Sequence, residues 1–518
     1  MTVMPEFPLS LHWRWHRAPA AEDPATFLAQ QPLTAVKHNL QRTVYTGEAV
    51  GGVHVKWLRA NTPRAKLRDW LRGPKAKLEF EKLQALRALN IPCPVPLAWG
   101  VAVGPEGRST ALITRTVLDA IPLEAVLLGP LSPQRRRGLA RGLGAYFARL
   151  HAAGVMHPDP HPGNILMCEG DFVLLDAHAV AFHAPGQREA NLVLWNRWFQ
   201  LRSTATDRLR FWRAYQRGLP NDSLSLHAAD IEAKTLRSNL RFWQRRLKRY
   251  TGMNRQCQPV DVGVWRGHRL ADVPQGVVAL LHHPEPAGIF NAGAPGELLK
   301  DSPSSCVMRL PGGLIAKLFR TKKRFAGSKS LFRRTAAVRT WLNGLSLLDR
   351  GLPTARPLLM IQRYRSGFAA EAIAVFQEIP DAMELQEYAA GASEEQLRRT
   401  AVAVGQLLRT MHQRGVSQRD LKASNILVCP ETAGLFLIDL VGVTLHGHSV
   451  RDAIRKRDLA RLSASFTGGT LRRAHKLRFL RSYLGPTQAS HWAEWWVWLR
   501  RATEAKQRKN AQNQRALH

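Results

Sequence analysis

The stretch LHAAGVMHPDPHPGNILMCEGDFVLLDAH at residues 150–178 returns as MHQRGVSQRDLKASNILVCPETAGLFLIDLVG at residues 411–442. Asp159 and Asp420 are 261 positions apart, and so are Asn164 and Asn425. Working outward, the same offset carries Lys56 in VHVKWLR onto Lys317 in LIAKLFR, and Pro92 in NIPCPVPLA onto Pro353 in LPTARPLL. Matches at one offset over so long a span mark two copies of one fold. The expected division is residues 1–255 and 256–518.

Both copies order their elements alike. In the first, TVYTGEAV and GGVHVKWLR read as two Val-rich extended segments joined at the Gly51–Gly52 turn. KAKLEFEKLQALRALN follows with Leu78, Leu83, Leu86 and Leu89 near helical spacing and stops at Pro92. After the extended run ALITRTVL, Ser132 and Pro133 start a helix with the stripe Leu139, Leu143, Phe147 and Leu150. The matching helix of the second copy starts at Ser393, with Gln396 completing a capping box, and continues through Leu397, Val404, Leu408 and Met411. Each helix runs straight into the loop bearing the Asp and Asn. The expected fold class is α+β, with a strand-rich small lobe followed by a helical large lobe in each copy.

Composition sets the setting. The 518 residues are 45% hydrophobic, with 15 Trp and 18 Phe, enough to bury sizeable cores and to disfavour wholesale disorder. Cys93, Cys168, Cys257, Cys306 and Cys429 stand singly, without C-x-x-C pairs, which suits a reducing cytosol. No apolar run approaches the roughly 20 residues that span a bilayer, and the N-terminus lacks a signal-like segment, so a cytoplasmic location is expected. The formal net charge of +36 calls for polyanionic partners: nucleic acid, anionic lipid or phosphorylated glycan. Part of that charge also reads as solvated surface. No zinc site or RNP-like aromatic pair supports nucleic acid, which is the disfavoured partner.

Transfer of a phosphoryl group from ATP needs a cation for the phosphates, a carboxylate near the attacking hydroxyl and oxygen ligands for Mg2+. Each copy offers that set. Asp159 precedes Asn164 by five residues and Asp176 ends the apolar run FVLLD; Asp420, Asn425 and Asp439 repeat the pattern. Taken singly, a loop Asp or Asn is often a turn former and a strand Lys a solvated edge residue.

The spacing D-x-x-x-x-N-I-L, followed by a strand ending in Asp, resembles the protein-kinase catalytic loop and its downstream metal Asp. The resemblance implies that Asp159 and Asp420 orient or deprotonate the acceptor hydroxyl. It implies that Asn164, Asp176, Asn425 and Asp439 bind Mg2+, and that Lys56 and Lys317 contact the ATP phosphates. Glu79 is the expected ion-pair partner of Lys56, with Glu81 a close competitor; the offset lands on Thr340 in the second copy, where Glu371 is the alternative supplier. Neither copy has Asp-Phe-Gly or a G-x-G-x-x-G loop, and Gln418 stands where the first copy has His157. The first copy therefore reads as the more complete. A non-catalytic scaffold is the rival reading for the second, although its retained Asp420, Asn425, Asp439 and Lys317 speak against it.

LLKDSPSSCVMRL, AAVRTWLNGLSLLDRGLPTARPL, RDLKASNIL and RDLARLSASF…LRFLRSYL together resemble the bacterial lipopolysaccharide kinase family. The first copy is similar in KLEFEKLQALRALNIPCPVPLA and NLVLWNRWF…DRLRFWRAY. Its HPDPHPGNIL also resembles the atypical kinases of coenzyme Q biosynthesis, but the K-x-G-Q segment of that family is missing. The leading resemblance implies an anionic glycolipid or phosphorylated glycan acceptor, such as an inner-core sugar hydroxyl, at the inner face of the cytoplasmic membrane. A protein acceptor stays open. The tail, about residues 491–518, sets Trp492, Trp495, Trp496 and Trp498 beside Arg500, Arg501, Lys506, Arg508 and Lys509. It reads either as an interfacial membrane anchor or as tryptophans packed on the last lobe.

Overall fold

The computed structural model describes the chain apart from residues 1–5, 19–22, 31, 40, 48–51, 105–106, 184, 220–225, 284, 292, 321–333, 366–367, 467–470 and 516–518. It divides into two units, Met1–Ser238 and Asn239–His518.

In the first unit the small lobe holds β1 (Arg14–Arg17), α1 (Pro24–Ala29), β2 (Leu33–Asn39), β3 (Arg42–Gly47), β4 (Val53–Arg59), α2 (Pro63–Arg72), α3 (Lys75–Ala88), β5 (Pro96–Gly104) and β6 (Gly107–Arg115). The strands form one antiparallel sheet in the order β1-β5-β6-β4-β3-β2. The expected hairpin is β3–β4, with Val44 opposite Lys56. Its turn contains Gly52 at φ +55°, where an L side chain is rarely tolerated, while Gly51 lies outside the described residues.

Alternation along β4 decides where Lys56 points. Val53 and Val55 enter a core with Tyr45, Ala111 and Ile113, whereas Leu58 enters the core of Ala76, Leu83 and Leu86 from α3. Lys56, even-numbered like Leu58, therefore faces α3. The buried face of α3 is Ala76, Glu79, Phe80, Leu83 and Leu86; Leu89, at the C-cap, is exposed.

The large lobe follows as β7 (Ile121–Pro122), α4 (Leu123–Leu128), α5 (Pro133–Ala152), β8 (Val155–Met156), β9 (Ile165–Cys168), β10 (Asp171–Leu174), β11 (Ala181–Phe182), α6 (Arg188–Arg202), α7 (Ala205–Arg217) and α8 (Ala228–Leu247). Ser132 caps α5 by accepting from Arg135 N at 3.2 Å, and the expected stripe Leu139, Leu143, Phe147 and Leu150 is buried. The division between units falls inside α8; residue 255 lies past its end.

In the second unit β12 (Cys257–Val262), β13 (Trp265–Leu270), α9 (Gln275–His282), β14 (Glu297–Ser302), β15 (Ser305–Leu310), β16 (Leu314–Arg320), α10 (Ala336–Asp349), β17 (Pro357–Arg365) and β18 (Phe368–Gln377) build the small lobe. Its sheet order, β12-β13-β17-β18-β16-β15-β14, repeats the first with one added edge strand. The large lobe comprises β19 (Met383–Glu384), α11 (Leu385–Gly391), α12 (Glu394–Gln413), β20 (Val416–Gln418), β21 (Ile426–Cys429), β22 (Gly434–Leu437), β23 (Val443–Leu445), α13 (Asp452–Ala464), α14 (Arg473–Leu484) and α15 (Trp492–Arg515). The Ser393–Gln396 capping box is formed.

The repeat extends to packing. A Cβ on Gly144 of α5 would run into the Phe211 carbonyl of α7, and one on Gly405 of α12 would stand 2.6 Å from the Phe479 carbonyl of α14. In both units a helix crossing this tight needs a residue without a side chain. The carbonyls of Pro92 and Pro353 each accept from the strand leading to the second Asp, from Leu174 N and Leu437 N, both at 2.9 Å.

The tail is a helix docked on the second large lobe. Trp495 and Leu499 are buried in its core with Trp496 and Trp498 packed against it, and Arg455 and Lys456 lie over the Trp495 ring. Of the two readings of the tail, the structure shows the packed one: these rings serve the core, and of the four only Trp492 is substantially exposed, at 42%. No helix among the described residues is long and apolar enough to cross a membrane.

Candidate active site

Folding brings the strand lysine and the strand-end aspartate together in each copy, although they lie 120 and 122 residues apart in sequence. Lys56 Nζ stands 3.4 Å from Asp176 Oδ1, and Lys317 Nζ 2.9 Å from Asp439 Oδ1. Both aspartates adopt the left-handed conformation, at φ 55° and φ 52°. That region costs a non-glycine residue on the order of 1 kcal/mol, and its recurrence at equivalent positions of the two copies marks an imposed geometry.

The loop pair is also repeated. Asn164 Nδ2 donates to the Asp159 carbonyl at 3.0 Å, and Asn425 Nδ2 to the Asp420 carbonyl at 2.7 Å. Each bond uses the amide nitrogen, and among the described residues the amide oxygen has no hydrogen-bond donor. Backbone bonds tie this loop to the strand-end Asp: Leu175 N donates to Asn164 O at 2.8 Å, and Ile438 N to Asn425 O at 2.9 Å. Asp159 and Asp420 are both exposed. Lys422 Nζ adds a cation 3.0 Å from Asp420 Oδ2.

The two copies differ at the lysine. In the first, Lys56 Nζ is 2.5 Å from Glu79 Oε1, and Glu79 is buried at 2% exposure. Glu81, the competitor, is exposed and pairs with Lys77 at 3.7 Å. Burial works against the Lys56 ammonium, but Glu79 and Asp176 outweigh it and its pKa stands above the ordinary lysine value. In the second copy Thr340 is turned back to the Ala336 carbonyl of its own helix, and Glu371 pairs with Arg363. Among the described residues Lys317 has Asp439 as its only ion-pair partner.

Asp176 is more heavily surrounded than sequence reading indicated. His178 Nδ1 at 3.4 Å, with Lys56 and Arg42, holds its carboxyl far below the usual range. Lys75 also lies in the field of Asp176 and Glu79, and burial lowers its pKa.

Gln418 takes over one contact of the histidine. His157 Nε2 bonds Leu175 O at 3.2 Å; Gln418 Nε2 donates to Asp439 O at 3.0 Å. Each ties the Asp–Asn loop to the strand end, to successive carbonyls of it.

A supporting network escaped the motif search. His151 bonds Tyr215 Oη at 2.8 Å and Asn191 Oδ1 at 3.1 Å, and Asn191 Nδ2 donates to His157 O. In the second copy His412 bonds Tyr483 Oη at 2.7 Å and lies 3.4 Å from Asp458 Oδ2, which accepts from Gln418 N at 2.9 Å. On α3 and α10, Lys82 and Asn343 hold the turn after the strand-end Asp: Lys82 donates to His178 O and Val180 O, Asn343 to Leu440 O and Val443 O. The offset of 261 was the available signal, since it maps His151 onto His412 and Lys82 onto Asn343.

A lysine and an aspartate meeting at the strand end, beside an Asp–Asn loop in a bilobal α+β scaffold, define a protein-kinase-like phosphotransferase site. The model of the lipopolysaccharide kinase (Kdo/WaaP) family matches residues 37–215 and again residues 312–483, more than half of the chain. The chain belongs to the lipopolysaccharide kinase (Kdo/WaaP) family, in two tandem copies, and is a phosphotransferase.

Among solved structures, WaaP in complex with acyl carrier protein is 18% identical, with 43% of this chain and 97% of that one covered and a TM-score of 0.34. The amicoumacin kinase hAmiN in complex with AMP-PNP, Ca2+ and Ami is 13% identical, covering 45% and 88%, with a TM-score of 0.32. The maize SIRK1 (sucrose-induced receptor kinase 1) kinase domain bound to AMP-PNP is 15% identical, covering 43% and 99%, with a TM-score of 0.29. No curated protein matches.

Proposed function

We propose that the chain transfers the terminal phosphoryl group of ATP to a sugar hydroxyl of lipopolysaccharide core or a related anionic glycolipid, and that each copy carries a site. Membership of the lipopolysaccharide kinase family supports the acceptor class. The observation that carries the reading is the twofold recurrence of the Lys–Asp contact beside an Asp–Asn loop. The functional boundary is placed at residues 255/256, ahead of β12.

The donor set fits Mg2+. In each copy a carboxylate (Asp176 or Asp439) and a free amide oxygen (Asn164 or Asn425) offer hard oxygen ligands beside a lysine suited to phosphate. Bound Mg2+ would neutralise charge on the transferring phosphoryl group. Lys56 and Lys317 hold the phosphates; in the first copy the buried Glu79 fixes the ammonium by an ion pair. Asp159 and Asp420 receive the acceptor hydroxyl proton or orient that hydroxyl. Most of the catalysis is positioning and electrostatics.

The test is phosphate transfer from radiolabelled ATP to purified dephosphorylated lipopolysaccharide core by wild type, Asp159→Ala, Asp420→Ala and the double variant. Transfer lost in the double variant supports the reading. Loss with Asp159→Ala alone would make the second copy a regulator, and equal partial losses mean two working sites. Transfer that persists in the double variant, or is absent from the wild type, rejects it.

A further inference from the structure

The search for a lipid-facing surface leads away from the C-terminal tryptophans to α2. This helix, PRAKLRDWLR, starts where Thr62 accepts from Ala65 N at 3.2 Å with Pro63 at its first position, and ends at Gly73 in a positive-φ conformation. Its buried side carries Asp69, paired with Arg68. Its outer side carries Leu67, Trp70 and Leu71, exposed at 57%, 78% and 65%. At i, i+3 and i+4 these three form one continuous apolar face.

Scattered exposed apolar residues need no explanation, but three on one turn of one helix leave an unpartnered patch. Lys66 and Arg72 flank it, and neither has an ion pair among the described residues. The β5–β6 hairpin reaches the same surface: Lys66 Cε lies 3.8 Å from where a Cβ on Gly107 would stand, and the hairpin exposes Val103 at 76%.

We infer that α2 is an interfacial helix that docks the first copy on an anionic lipid bilayer. Trp70 and the leucines would enter the headgroup boundary, while Lys66 and Arg72 meet the lipid phosphates. An aromatic ring with apolar neighbours and flanking cations is the composition that settles at that depth. The charge of +36 favours an anionic membrane over a neutral one or a second copy of the chain. Only Gly73 and Pro74 separate α2 from α3, which carries Glu79. Docking would therefore hold the cleft at the surface where a lipid-linked acceptor is presented; this inference rests on the acceptor reading above.

The test is flotation of the full chain, without ATP or acceptor, on phosphatidylcholine vesicles with and without phosphatidylglycerol. Wild type is expected to float only with the anionic vesicles. Trp70→Ser/Leu71→Ser and Lys66→Glu/Arg72→Glu are each expected to lower partition by about tenfold or more. Thermal melting and transfer to a lipid-free core oligosaccharide should stay unchanged, which separates failure here from failure of the kinase reading. Absence of wild-type flotation, or flotation indifferent to both variants, overturns the inference. A dimer in light scattering that Trp70→Ser/Leu71→Ser dissolves would assign the face to a second copy and overturn it equally.

Discussion

Lys56 is held by the buried Glu79 across 2.5 Å, and this half-buried pair separates the first site from the second, where among the described residues Lys317 meets Asp439 and no glutamate. Glu79→Gln removes the charge that fixes the ammonium. Asp159-dependent turnover should fall about 100-fold, as for loss of one preorganised electrostatic contact. Steady-state kinetics in an Asp420→Ala background would show it; unchanged turnover would reduce the pair to a structural contact.

The histidine network ties stability to pH. Burial lowers the His151 pKa from 6.5 to about 4. The unfolded chain therefore binds a proton between about pH 6.5 and pH 4 that the folded chain refuses. Stability from this residue is complete above pH 6.5 and is lost as pH falls toward 4, by about 3 kcal/mol. Urea midpoints of wild type should drop across that window, and His151→Gln should flatten the drop. His412 is lowered by burial in the same direction.

Asp458 is fully buried and accepts from Gln418 N and Arg457. Asp458→Ala would leave both donors without an acceptor and should cost about 3 kcal/mol. Calorimetry would register it as an earlier transition with the first unit's melting unchanged. Asp458→Asn, which keeps an acceptor and matches Asn191 of the first copy, should cost less.

Gly405→Ala puts a methyl 2.6 Å from the Phe479 carbonyl, so α12 and α14 must separate. A destabilisation of about 1 to 3 kcal/mol is expected, as for overpacked cores. Thermal melting measures it, and an unchanged melting temperature would show that the crossing can relax.

Much of the fold was legible because it is written twice. The offset of 261 located both lysines, both loop pairs and both prolines, and local rules located the caps at Ser132 and Ser393. What stayed hidden depends on partners that no spacing reveals. Glu79 and Glu81 sit two residues apart on α3, and only the buried face of that helix chooses between them. Gln418 read as a defect because the motif prescribes histidine, yet its amide also reaches a strand-end carbonyl, that of Asp439, one residue beyond the one His157 uses. The tail tryptophans left two readings open because sequence carries no sign of which face α15 buries. The exposed face of α2 was overlooked for the converse reason: Leu67, Trp70 and Leu71 resemble core residues until their neighbours are known.

Two nucleotide sites in one chain, each built on its own Lys–Asp contact, can be counted by isothermal titration of the intact protein with a non-hydrolysable ATP analogue and Mg2+. Two analogues should bind per chain, Asp176→Asn and Asp439→Asn should each leave one, and the double variant none. A wild-type stoichiometry of one or zero, or two sites that survive both substitutions, would contradict the account.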